Sequence, residues 1–183
     1  MIESPSVPTP IFYACLAVET DGPPFEIAWS SLASNPNNSC GVVCESRLIR
    51  PPSVWISRLG RDPSALQAYE LAVGDLRQFG TSVRELAERM NAELAEQELF
   101  SATVADDDRI KQIFKAAKTE PKFALRRTDA EELIAELSRL RRLTPFAVAR
   151  AKREAEVMCL TGARAEARAR FLSTYWAFVA GVC

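Results

Sequence analysis

The sequence predicts an α/β fold: a five-stranded mixed sheet, its first three strands antiparallel, with helices on both faces. Three observations lead there. Three apolar, β-favouring runs come first, joined by short turn-rich segments, as in a meander. After Pro51-Pro52 the pattern changes to helices alternating with short strands. The chain has 183 residues, 48% of them hydrophobic and 26% charged, enough for one domain with a full core.

The elements follow in order. Residues 1–10 carry three prolines and two serines and read as a loose tail, leaving 11–183 as a single domain. Ile11 to Glu19 is predicted to be the central strand. Phe25 to Ser31 and Gly41 to Arg50 are the next two, bounded by "TDGPP" and "SNPNNSC". Ser64 to Leu71 reads as a short helix. Ser82, with Glu85 three residues on, opens a better one whose apolar positions are Val83, Leu86, Ala87, Met90 and Leu94. Leu99 to Val104 is a short strand. Asp106 to Lys118 is a helix with Ile110, Ile113, Phe114 and Ala117 on one side, Asp106 suiting its N-cap. Phe123 to Leu125 is the fifth strand. Thr128 and Glu131 form a capping box before Leu133, Ile134, Leu137 and Leu140, and Thr144-Pro145 opens the next helix. The last helix runs from about Ala163 to Val179. Phe171, Leu172, Tyr175, Trp176 and Val179 form its core stripe, with Glu166, Arg170, Ser173 and Ala177 on the outer face.

Composition narrows the chemistry. There is no histidine, which removes imidazole bases, Ser-His and Cys-His pairs and histidine metal sites. Cys15, Cys40, Cys44, Cys159 and Cys183 are an odd set without the spacing of a disulfide framework. Cys40 and Cys44 sharing a zinc ion is less expected than two incidental thiols. The apolar run Pro10 to Val18 is too short to span a membrane, and no basic residue precedes it as in a signal peptide, so a reduced, cytoplasmic setting is expected. Net charge is −1, which argues against a generally basic nucleic-acid-coating protein. Arginines and lysines nonetheless outnumber acids nine to three over residues 139–170; a solvated helical face is the plainer reading, a nucleic-acid footprint the sharper one.

Four stretches then occur in a fixed order: "LAVETDGPPFEIAW", "LIRPP", "DDDRIKQIF" and "ARAEARARFLSTYW". On these the chain resembles, over most of its length, the DnaQ-like (DEDDh-class, proofreading-type) 3′–5′ exonucleases of ribonuclease-H-like fold. In that family the first strand ends in Asp-x-Glu-Thr, the second motif is an aspartate opening a helix, and the third is His-Arg-Ala-x-x-Asp-Ala-Arg. The resemblance puts the metal-bridging aspartate on Ala17, its partner glutamate on Glu19 and the second-motif acid on Asp106 (Asp107 or Asp108 if the register shifts). The histidine that activates water falls on Ala163 and the last aspartate on Arg168.

Catalytic positions Ala17, Ala163 and Arg168 thus depart from the family, and Glu19 and Asp106 remain as remnant metal ligands. Two ions about 3.5–4 Å apart need a bridging carboxylate, and alanine supplies none. The resemblance therefore implies a natural pseudo-exonuclease with no cofactor, acting as a binding or scaffold module. Single-stranded nucleic acid or a protein are the expected partners, with Arg164 and Arg168 as nucleic-acid contacts and a homodimer as a further expectation. The alternative is a weak or altered Mg²⁺- or Mn²⁺-dependent 3′–5′ exonuclease on single-stranded DNA or RNA. Arg168 is expected to pair with Glu19, filling the place of the metal with a fixed positive charge.

Overall fold

The computed structural model describes residues 9–19, 21–33, 41–60, 66–126, 128–159 and 164–182. Their order is β1 (Ile11–Ala17), β2 (Pro24–Ala33), β3 (Gly41–Arg50), α1 (Ser53–Leu59), α2 (Val73–Phe79), β4 (Thr81–Ser82), α3 (Val83–Glu93), β5 (Glu98–Ser101), α4 (Val104–Ala117), β6 (Ala124–Arg126), α5 (Ala130–Leu140), α6 (Pro145–Met158) and α7 (Ala165–Ala180). The sheet has six strands in the order β4-β3-β2-β1-β5-β6, not the five expected. The addition is β4, two residues parallel to the end of β3. It forms because Gly80 lets the chain leave α2 against β3; a Cβ there would collide with the Leu76 carbonyl and the Arg50 amide.

β1, β2 and β3 pair antiparallel as the meander pattern predicts, and β5 and β6 add in parallel beyond β1. β1 ends at Ala17, two residues short of the expected Glu19. Alternation along β1 separates two packed layers. Tyr13 and Cys15 belong to the core that includes Leu86, Met90, Ile110 and Phe114 of α3 and α4. Phe12 belongs to the core formed by Ile134 of α5, Ala151 and Ala155 of α6, and Leu172 and Trp176 of α7.

Several helix boundaries differ from expectation. Ser82 does cap α3, accepting from the Glu85 amide at 3.2 Å. The cap of α5 is Asp129, which accepts from the Glu132 amide at 2.9 Å, one residue beyond the expected Thr128 and Glu131. Asp106 is the third residue of α4, whose N-cap is Thr103. Leu140 stands exposed at the end of α5. Of the helix expected from Ser64 to Leu71, Leu66 and Gln67 are helical and residues 61–65 lie outside the described residues. Most of the loose tail (residues 1–8), the Ala163 position and the Cys40 half of the thiol pair also lie outside them.

α7 differs most from its expected shape. Ser173 and Ala177, assigned to the outer face, are buried. The row Ala165, Ala169, Ser173, Ala177 recurs every four residues, and such small side chains let a helix approach a sheet closely. Ser30 of β2 fixes the contact, donating to the Ala169 carbonyl at 2.6 Å and sharing a hydrogen bond with Ser173 Oγ at 2.7 Å. With α5 and α6 on its other side, α7 is buried nearly all round.

Candidate functional site

The site implied by the resemblance lies where β1 ends beside the first turn of α4. β1 is interrupted by a register shift between Leu16 and Ala17, so Ala17 sits on irregular backbone and contributes only a methyl group. Glu19 follows in the bend, exposed, its carbonyl accepting from the Gly22 amide at 3.0 Å.

Asp106 is fully buried. Its Oδ2 accepts from the Thr103 amide at 2.9 Å and from Thr103 Oγ1 at 3.0 Å, so its side chain closes back over the start of its own helix. Its Oδ1 accepts from the Cys15 amide at 3.2 Å and from Arg109 Nη1 at 3.0 Å. Arg109 Nη1 also donates to the Cys15 carbonyl at 3.0 Å. One carboxylate and one guanidinium thus clamp both backbone groups of a β1 residue whose strand neighbours do not take them. Next to them, Tyr13 Oη donates to Asp107 Oδ1 at 2.5 Å. Asp108 is on the surface, paired with Lys111 at 3.1 Å.

Electrostatics reflect this burial. The Cys15 thiol is pushed well above its ordinary range by desolvation and then by Asp106, while Arg109 and Arg168 pull it back. Burial, reinforced by the hydrogen bond to Asp107, holds the Tyr13 hydroxyl far above the usual range for tyrosine. Arg168 is half-buried and close enough for its charge to reach Cys15, but no ion pair joins it to Glu19. The expected Arg168–Glu19 pair is not formed, because β1 stops before Glu19 and leaves that carboxylate in water. The cation that neutralises Asp106 is Arg109, on the same helix three residues later. Arg164 is also committed: it stands at the N-cap position of α7 and its Nε donates at 2.7 Å to Glu26 of β2, which is 2% exposed. Glu166 pairs with Arg170 at 2.9 Å, away from the Asp106 cluster.

These residues do not fit a pair of divalent ions. Among the described residues no three Cys, Asp or Glu side chains gather around one point. Both oxygens of Asp106 already hold four donors, while an oxygen-coordinated divalent ion takes about six ligands. Sequence reasoning missed Arg109, Tyr13 and Glu26; only Arg109 left a signal, as the basic partner at i+3 of an acid in a helix's first turn.

The fold defines a class: an α/β chain with a six-stranded mixed sheet, built like part of the solved exonuclease I structures. Solved structures carry the same likeness. The chain is similar to E. coli exonuclease I in complex with a dA16 oligonucleotide, at a TM-score of 0.63 and 14% identity, over 94% of this chain and 40% of that one. It is also similar to a product-bound exonuclease I, at 0.54 and 12% identity over 93% and 43%, and to E. coli exonuclease I with a dT13 oligonucleotide, at 0.51 and 14% over 70% and 29%. The chain therefore spans well under half the length of these proteins, and at such identities the likeness is one of fold. No protein-family model and no curated protein sequence matches the chain.

Proposed function

We propose that this chain is a non-catalytic, exonuclease-like module that binds single-stranded nucleic acid. The observation that carries the reading is the state of Asp106. The acid that would hold a metal is buried, its oxygens bonded to Thr103, Cys15 and Arg109, and it pins α4 to β1. Releasing it to a metal would break that clamp. The positions aligned with the bridging acid, the histidine and the last acid are Ala17, Ala163 and Arg168. Support for nucleic acid comes from the exonuclease I structures, which contain single-stranded oligonucleotides. Arg168, half-buried with its charge felt at Cys15 and joined to no acid among the described residues, is the arginine proposed to meet a phosphate; Arg164 is held by Glu26.

Two assays test this. End-labelled oligothymidylate and oligouridylate are titrated with the protein between about 50 and 200 mM salt, where phosphate contacts give an affinity that falls steeply with salt. The same oligonucleotides are incubated with Mg²⁺ or Mn²⁺ and resolved by length. Salt-sensitive binding without shortening is expected, weakened by Arg168→Ala. Shortening that disappears in Glu19→Ala would refute the non-catalytic reading. Absence of binding at the lowest salt would refute the nucleic-acid reading.

A further inference from the structure

A groove lies between the C-terminal half of α4 and the strand β6. It encloses about 620 Å³. Its floor is apolar, made by Phe114, Phe123 and Leu125. Its wall carries Lys111 and Lys115, one turn apart on α4, and Lys118 in the left-handed C-cap that follows, beside one acid, Glu120. Lys111 is neutralised by Asp108, whereas Lys115 and Lys118 are exposed and make no ion pair among the described residues.

The other side of the groove is a sheet edge. β6 is the last strand of the sheet and pairs only with β5 among the described residues. The Ala124 amide donates to the Gln97 carbonyl at 2.9 Å. Alternate residues of a parallel ladder bond to the same side, so the amide and carbonyl of Leu125 face outward, away from β5. An edge of this kind is a template for an added strand unless it is covered.

Three features therefore converge: an open backbone edge, an apolar floor and two unpaired lysines. We propose that this groove takes an extended acidic peptide segment of a protein partner, laid along the outer edge of β6. Its backbone would pair with Leu125, one aliphatic side chain would enter the floor, and carboxylates on neighbouring residues would meet Lys115 and Lys118. Strand addition gives affinity through backbone pairing and specificity through alternate side chains. Nucleic acid suits the floor poorly. Phe114 and Phe123 are buried and packed edge to face at 5.4 Å, so neither offers an open ring face on which a base could stack. The proposal does not depend on what the Asp106 cluster binds.

The test pans a displayed library of random short peptides against the whole chain, then measures selected peptides by fluorescence anisotropy. The expected result is enrichment of sequences combining several acids with one aliphatic residue. Their affinity should fall at least about tenfold in Lys115→Glu and in Lys118→Glu, the loss of one charge-assisted contact at about 1.4 kcal/mol per decade. Both lysines are exposed, so unchanged melting temperatures will separate lost binding from lost folding. Hydrogen exchange at the Leu125 amide should slow when peptide is bound. No enrichment, enrichment indifferent to both substitutions, or an unprotected Leu125 amide would overturn the proposal. So would oligothymidylate binding that is lost in the same two variants, which would assign the groove to nucleic acid.

Discussion

Arg109→Leu is the substitution that tests the clamp most directly. The Asp106 side chain is fully buried and that of Arg109 is 11% exposed, so the pair is nearly cut off from solvent screening. Removing one partner of a buried pair costs about 3–5 kcal/mol, because the other charge is left uncompensated. Asp106 keeps three donors, the amides of Thr103 and Cys15 and the Thr103 hydroxyl, which puts the loss near the lower end. The Cys15 carbonyl loses its donor as well. With about 2–4 °C per kcal/mol for a chain of this size, a loss of about 3 kcal/mol lowers the melting temperature by roughly 6–12 °C. Differential scanning calorimetry or urea unfolding reads this directly. The companion measurement is a double-mutant cycle with Asp106→Asn, in which contacting residues show a coupling of about 0.5–3 kcal/mol. A drop under about 2 °C, or two losses that simply add, would refute the reasoning, since either outcome means the pair is not coupled as the geometry requires.

Three other outcomes follow from the same structure. Tyr13 has a folded-state pKa above its unfolded value of 10.0, so its contribution to stability is intact below about pH 10 and lost as pH rises further; Tyr13→Phe should lose less melting temperature than the wild type between neutral and strongly alkaline solution, and parallel curves would contradict this. Burial, with Glu166 next in effect, raises the Cys44 thiol to about 11, and Cys15 is fully buried, so alkylation at mildly alkaline pH should label Cys44 slowly and Cys15 only after urea is added; mass spectrometry of native protein carrying label on Cys15 would contradict it. Ser173→Leu removes the bond to Ser30 and overfills a closed contact, for a loss of about 2–4 kcal/mol in urea unfolding, whereas an outer-face position would tolerate the change.

The sheet was legible where a strand carries its own signal. β1, β2 and β3 are long enough for an apolar run to stand out between turns, and their antiparallel order follows from the short connections. β4 has two residues, too few for any period, and exists only through its pairing with β3. The seven-residue helices α1 and α2 were missed because their N-caps, Pro52 and Ala72, offer no capping side chain. The outer face of α7 was misread because periodicity measures contrast between faces, and a helix packed on both sides has little. At the site, motif order offered candidate positions, and the structure brings one of them, Asp106, into a buried cluster. That Arg168 would not pair with Glu19 was not legible, because reach depends on where β1 ends, and that boundary is set by the irregularity at Leu16 and Ala17.

The row of small residues on α7 has a consequence for engineering. The hold of this helix on the sheet comes from Ala165, Ala169, Ser173 and the Ser30 hydrogen bonds, not from position 168. Arg168 occupies a socket whose occupant can be exchanged while the mounting stays fixed. The end of β1 is a second such socket, since Ala17 contributes a methyl group on half-exposed backbone. Ala17→Asp and Arg168→Asp can therefore be installed as a cassette, with the Asp106–Arg109 clamp left in place, in a chain whose architecture does not rely on what those two sockets hold. Such a host would let the acids of a metal site be built up one at a time, so that the ion affinity gained at each step is measured against a constant scaffold.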